Sequence, residues 1–274
     1  MTFKPMSTAD LEADGPIKTL LYAHHGFGKT TQAVHYKRRY GPGFVISGEA
    51  GLRSIMHEKI DYLPFSSWDG PHDPANGIYS FKGICQIING PEFRHAGYKW
   101  IMLDSLTEAS DRLLEELEEK HRGSKNGFLL WQEYASQMLG ACKWVRDLPY
   151  HVLVTALAKE ENDDNGGTDY WPMVKGNAVG KQLPGIFDNV LCGVRVTSGD
   201  RTTPKVDRYV ITDEVRGWHG KVRDPRRRLK PVERFGDHVD ITELFERMSM
   251  PDSEHEKYLK AIQAAAAATK TSAA

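Results

Sequence analysis

From residue 17 onward the chain alternates short unbroken apolar runs with longer stretches in which apolar residues recur every three or four positions. Residues 17–23 form the first run. It leads into His24-His25-Gly26-Phe27-Gly28-Lys29-Thr30-Thr31 and then a helical stretch that Gly41-Pro42-Gly43 closes, which predicts strand, glycine loop, helix. Residues 44–47 form a second run ending at Gly48-Glu49, residues 100–103 a third ending at Asp104-Ser105, and residues 151–155 a fourth. Apolar residues that follow one another rather than alternate imply burial on both faces, as in a parallel sheet covered by helices.

Leu106, Ala109, Leu113 and Leu117 share one helical face, with Glu108, Glu115, Glu116, Glu118 and Glu119 opposite. Trp131, Tyr134, Ala135, Met138, Leu139, Cys142 and Val145 do the same as far as Leu148-Pro149. Both segments are expected to be helices that cover the sheet. Residues 159–185 lose periodicity and fill with Asp, Asn, Gly and Lys, which predicts a long working loop. Residues 190–197 and 207–212 predict a late antiparallel strand pair. Beyond Pro251 a surface helix is expected to decay into a disordered Ala-rich tail. The organisation expected is a flexible lead-in over residues 1–16, one α/β domain over 17–250 with a mostly parallel central sheet flanked by helices, and a helix and tail over 251–274.

Charge narrows the function classes. With 36 Lys+Arg against 37 Asp+Glu there is no global electrostatic reason to bind nucleic acid, so any such site is local. Charged residues make up 27% of the chain, and no apolar run approaches the ~18 residues of a membrane span, so neither a spanning helix nor a signal peptide is expected and the chain is assigned to the cytoplasm. Cys85, Cys142 and Cys192 lie far apart without a C-x-x-C pair and are expected to be reduced core thiols.

Gly26, Gly28, Lys29 and Thr30 complete the second half of the G-x-x-x-x-G-K-[ST] phosphate loop, with Ala23 in place of the first glycine. The loop follows a buried strand and opens a helix, as the motif requires. It implies ATP and Mg2+ as ligands: His25 to Thr31 line the nucleotide, Lys29 reaches the β- and γ-phosphates, and the Thr30 hydroxyl faces the metal. Adjacent His24 and His25 invite a metal assignment, but no further ligands accompany them, so they read as loop filler. Asp104 closes an apolar strand and fits a Walker B acid beside the metal; the competing role is a helix N-cap, which Ser105 could equally take. Glu49 ends the strand after the phosphate-loop helix, where a carboxylate activates water, against the plainer alternative of a solvated loop acid. Residues 216–234 hold eight basic residues against Asp224 and Glu233. Against the plainer alternative of a solvated loop, Trp218-His219-Gly220-Lys221-Val222-Arg223 suits charges supplied to a neighbour's ATP, and the run from Arg226 to Lys230 suits contact with a phosphate backbone.

These pieces together resemble phage-encoded, RecA-like P-loop ATPases, AAA-family ATP-binding proteins grouped with single-strand-annealing recombinases. The resemblance rests on Tyr22 to Thr31, Glu49-Ala50-Gly51, Ile101 to Thr107, Val152 to Thr155, Leu183 to Val190 and Gly220 to Asp224, in that order, from residue 17 to about residue 230. It implies a RecA-like core acting in the host bacterial cytoplasm as a homo-oligomer, ring or filament, with ATP between protomers. Single-stranded DNA and a phage or host single-strand-binding protein are the implied partners. By position, Lys29, Glu49 and Asp104 are then catalytic, Thr30 and Asp104 hold the metal, and Lys221 and Arg223 act across the protomer interface. The loop from Lys159 to Gln182 takes the place of the DNA-contacting loops, with Lys175 and Lys181, joined by Arg226, Arg227 and Arg228, as DNA contacts. Ala156-Leu157-Ala158 stand where the family has a polar switch residue, which moves γ-phosphate sensing to Thr155 or Lys159.

The leading expectation is a DNA-dependent ATPase of phage recombination, in annealing or strand exchange. The alternative is a slowly hydrolysing scaffold that loads a partner onto DNA. A small-molecule kinase would need a substrate lid and acceptor-binding acids that the sequence does not display.

Overall fold

The computed structural model describes residues 15–124, 126–162, 166–200 and 202–271. Six strands run parallel: β1 (Lys18–Ala23), β2 (Gly43–Ser47), β3 (Asp61–Pro64), β4 (Trp100–Asp104), β5 (His151–Asn162) and, after a short β6 (Thr168–Pro172), β7 (Asn189–Ser198). Two further long strands, β8 (Lys205–Ile211) and β11 (Val232–Gly236), extend the β7 side antiparallel, and the order across the sheet is β11-β8-β7-β1-β5-β4-β2-β3. β5 therefore lies between β1 and β4, with Thr155 one strand away from both. The expected α/β class, parallel sheet and late antiparallel pair are all present.

The unbroken apolar runs are explained by alternation between two cores. Leu20, Tyr22, Phe44, Ile46, Ile101, Leu103, Val152 and Val154 face one cluster, formed with α2 (Phe81–Asn89), α3 (Pro91–His95), α4 (Leu106–Lys120) and α5 (Gly127–Asp147). Leu21, Ala23, Val45, Trp100, Met102 and Leu153 face the other, under α1 (Gln32–Tyr40) and, after a short α6 (Asn177–Gln182), α7 (Thr242–Ser249). Because adjacent strand residues point to opposite faces, a strand covered on both sides is apolar at most consecutive positions. The Trp100 ring lies so close over Gly43 that a Cβ there would fall 1.9 Å from it. All three thiols are free, and burial pushes Cys85, Cys142 and Cys192 each up to about 12, so they stay protonated core groups.

Two expectations are corrected. Most of the stretch from 159 to 185 is regular: β5 continues to Asn162, pairs antiparallel with β6, and leads through α6 to a tight turn at Leu183–Gly185. β6 also pairs with β10 (Trp218–His219), which pairs with β9 (Glu214–Val215), so a small sheet stands on the carboxyl end of β5. The second correction is the Ala-rich tail, which is helical in α8 (Asp252–Thr271), in keeping with the high helix propensity of alanine. The lead-in up to residue 14 and the last three residues lie outside the described residues.

Candidate nucleotide-binding site

All parallel strands end at one sheet edge, and the chemistry converges there. After Ala23 the chain turns through Gly26 (φ 72°) and Gly28 (φ 104°), conformations in which a side chain is strained, and then enters α1. Thr31 Oγ1 donates to the Gly28 carbonyl at 2.7 Å and tightens the loop. Phe27 is buried, with its ring against Gly193 of β7; a Cβ on Gly193 would fall 2.6 Å from that ring. The side chain of Phe27 is thus the anchor of the loop, and only its backbone is left to face a ligand. His25 is exposed.

Behind the loop, the Gln32 amide donates to Gly28 O and Val239 O, both at 3.0 Å, and accepts from Ile241 N at 3.0 Å. Arg208 of β8 donates to Phe27 O at 3.0 Å and also to Asp237 O. The segment 237–241 is thereby fastened to the phosphate loop. Gln32 and Arg208 were not foreseen, because a single amide and a single arginine have no sequence pattern of their own.

Lys29 Nζ reaches Ala23 O at 3.0 Å and His24 O at 3.2 Å. Burial lowers its pKa, opposed by the negative charges of Glu49 and Asp104. Thr30 Oγ1 donates to Asp104 Oδ2 at 2.8 Å, and Thr155 Oγ1 donates to Asp104 Oδ1 at 2.6 Å. Burial raises the Asp104 pKa, and the two threonine hydroxyls oppose the shift. The competing cap role falls to Ser105, whose Oγ accepts from Glu108 N at 3.4 Å at the start of α4 and leaves Asp104 free to face Thr30. The same Ser105 hydroxyl donates to Glu49 Oε1, while the Glu49 carbonyl accepts from Ser47 Oγ at 2.9 Å. Glu49 is therefore a held carboxylate on the Asp104 side of the site, and Ser105, which sequence reading treated only as a cap, is what holds it.

The donor set fits a small hard cation. A hydroxyl and a carboxylate converge, and Gly51 leaves space over them: a Cβ there would lie 3.0 Å from Thr30 Oγ1 and 3.7 Å from Asp104 Oδ2. Among the described residues no cluster of three or more His, Cys, Asp or Glu could hold a metal unaided. One carboxylate and one hydroxyl completed by phosphate oxygens is the usual way in which Mg2+ is held with a nucleotide.

Of the remaining expected residues, His24 takes a role of its own. It lies 3.5 Å from Glu160 on β5 and meets the ring of Trp218 edge-on at 5.7 Å; Trp218 in turn stacks on Tyr170 at 4.2 Å. The phosphate loop thus touches the small sheet that β5 supports. Lys175 pairs with Asp111 at 3.1 Å; Lys181 pairs with Glu161 at 3.4 Å and lies 5.6 Å over the Trp171 ring. Lys221 bridges to Val190 near the start of β7, away from the phosphate-loop edge, and its Nζ donates to Pro184 O at 2.7 Å. Arg223 is exposed and pairs with Asp188 at 3.2 Å. Arg228 departs from the expectation of a DNA contact: its side chain is only 3% exposed and donates to Arg247 O, Met250 O and Asp252, joining α7 to α8. Arg226 donates to Met250 O, while Arg227 is exposed.

Strand, glycine loop, lysine, and a threonine bonded to a buried strand aspartate define a P-loop nucleotide-binding domain of RecA-like architecture. Residues 15–223 match the family described as AAA domain, and the chain belongs to that family of P-loop ATPases. Nothing among curated proteins matches it. Similar solved structures include a KaiC-like protein from the hyperthermophilic archaeon Pyrococcus horikoshii, at 18% identity and TM-score 0.42, over 80% of this chain and 89% of that one. Another is the flagellar accessory protein FlaH from Methanocaldococcus jannaschii, at 10% identity and TM-score 0.40, over 84% and 90%. Among the described residues no helix is long and apolar enough to cross a membrane.

Proposed function

We propose that this ATPase acts on single-stranded DNA in phage recombination, in annealing or strand exchange, as a homo-oligomer that binds ATP with Mg2+ between protomers. The observation that supports this reading is the continuity of β5. Thr155 touches the Asp104 carboxylate, and the same strand runs on without a break to Lys159, Glu160 and Glu161, where Glu160 meets His24 of the phosphate loop. A change at the phosphates therefore has a stiff element through which to reach the surface carrying Lys159, Lys175 and Lys181.

When bound, magnesium neutralises charge that builds on the β- and γ-phosphate oxygens. Lys29 adds a second positive charge, the loop N–H groups orient the phosphates, and Glu49, held by Ser105, accepts a proton from the attacking water. Lys221 and Arg223 lie away from their own phosphate loop, which suits a role on a neighbouring protomer's nucleotide.

A second reading, a slow ATPase scaffold that loads a partner such as a single-strand-binding protein, is favoured by one observation: Lys159, Lys175 and Lys181 each have a carboxylate within salt-bridge distance. Cations already paired give less to a phosphate backbone. The two readings separate in the anisotropy of a labelled single-stranded oligonucleotide, titrated with protein plus ATP or ADP at 50 and 200 mM salt. The DNA reading expects ATP-dependent binding that weakens steeply with salt, by about 10-fold or more if several phosphates are neutralised. Absent or salt-independent binding contradicts it.

A further inference from the structure

Two arginines stand against the phosphate loop, and neither meets a carboxylate. In the antiparallel pair β7/β8, Arg195 and Arg208 are directly opposite each other. Arg208 uses its donors on loop and neighbouring carbonyls, Phe27 O at 3.0 Å, Gly26 O at 3.5 Å and Asp237 O. Arg195 is exposed, and among the described residues its side chain has no hydrogen bond or ion pair. It is nevertheless aimed at the loop: a Cβ on Gly26 would lie 3.3 Å from one terminal guanidinium nitrogen of Arg195.

The register explains the placement. Gly193 pairs with Ala23, the last residue before the phosphate loop, and carries the Phe27 ring. Residues two apart on a strand share a face, so Arg195 projects on the phosphate-loop side just past the end of β1. Two like charges opposite each other on a ladder repel, and each guanidinium is a strong bidentate donor to phosphate oxygens. An anion held at the loop would relieve the repulsion.

We infer that Arg195 is a nucleotide-binding residue that donates from its own protomer to the phosphates of the bound nucleotide. Arg208 is a positioning residue that holds the loop carbonyls behind it. The inference rests on the phosphate loop as a nucleotide site but not on DNA or on oligomerisation. It differs from the role expected of Lys221 and Arg223, which needs a neighbour, because Arg195 completes the charge within one chain.

The test is equilibrium binding of N-methylanthraniloyl-ADP, followed by fluorescence and displaced by inorganic pyrophosphate. It uses the full chain and the Lys29→Ala, Arg195→Ala and Arg195→Lys variants. Arg195→Ala is expected to weaken the labelled nucleotide and pyrophosphate by a similar factor, about 10-fold or more for a lost charged hydrogen bond. Arg195→Lys should recover part of the loss, since it keeps the charge and loses the fork. Thermal unfolding without ligand should be unchanged or slightly later in Arg195→Ala, which separates a binding role from a structural one. Unchanged affinity in Arg195→Ala, with binding lost in Lys29→Ala, would overturn the inference and leave the phosphate loop intact. Weakened nucleotide with unweakened pyrophosphate would place Arg195 on base or ribose and overturn the phosphate assignment. No nucleotide binding by the unsubstituted protein would remove the phosphate-loop site itself, and the inference with it.

Discussion

Thr30 and Asp104, 74 positions apart in the chain, are joined by a 2.8 Å hydrogen bond from the threonine hydroxyl to the carboxylate. One ends the phosphate loop and the other ends β4, and β5 separates their strands. Two hard oxygen donors are thus brought together at the site where a nucleotide needs its metal, and the other carboxylate oxygen is occupied by Thr155. That second bond is the contact through which the proposed sensing role of Thr155 would act.

The buried Asp104 should cost stability when no ligand is present. Its pKa is raised in the fold, chiefly by burial. A raised carboxyl pKa gives stability that is full below the unfolded value of ~3.9 and is lost as pH rises through the folded value. Asp104→Asn removes this dependence. Without nucleotide the variant should unfold at a higher temperature than the parent at pH 8, by about 2–4 °C for each kcal/mol recovered, with the gap closing as pH falls. It should also lose Mg2+-dependent ATP binding. A lower midpoint at pH 8 would contradict the assigned cost of burial.

Glu49→Gln should keep ATP binding and lose turnover by about 10²-fold or more, the range for a general base. Ser105→Ala removes the hydroxyl that holds Glu49 and also caps α4. It should cost about 1 kcal/mol of stability for the cap and lower kcat more than it raises KM. Steady-state hydrolysis beside nucleotide titration checks both, and wild-type turnover in Glu49→Gln would remove the water-activating role.

Gly193→Ala should act on the site from behind. The added methyl meets the Phe27 ring, so either β7 or the phosphate loop has to move, at about 1–3 kcal/mol. Nucleotide affinity should fall along with stability. Pairing it with Phe27→Leu, which shortens the offending side chain, should recover part of both losses in a double-mutant cycle. Additive losses would show that the two residues are not coupled.

What could be read from the sequence follows what was buried on both sides. β1, β2, β4 and the start of β5 each carry a run of consecutive apolar residues, so their ends, and with them Lys29, Glu49, Asp104 and Thr155, were legible together. The outer half of β5 was not: Lys159, Glu160 and Glu161 form a strand exposed in part, and its partner β6 is held by aromatic stacking rather than by a core stripe. Edge strand β3, mostly exposed, and the two-residue β9 and β10 carry too few apolar positions to announce themselves. Arg228 shows the opposite failure. A run of arginines reads as a basic surface, yet its third member turns inward because the last carbonyls of α7 need a donor. Arg195 and Arg208 were invisible for another reason: only the β7/β8 register places them face to face beside the loop.

The decisive experiment is ATP hydrolysis by the purified chain, measured with and without single-stranded DNA and beside Lys29→Ala. Hydrolysis is expected to depend on Lys29 and to rise several-fold or more with single strands. Hydrolysis that survives Lys29→Ala would contradict the catalytic site, and Lys29-dependent hydrolysis indifferent to DNA would contradict the proposed action on single strands.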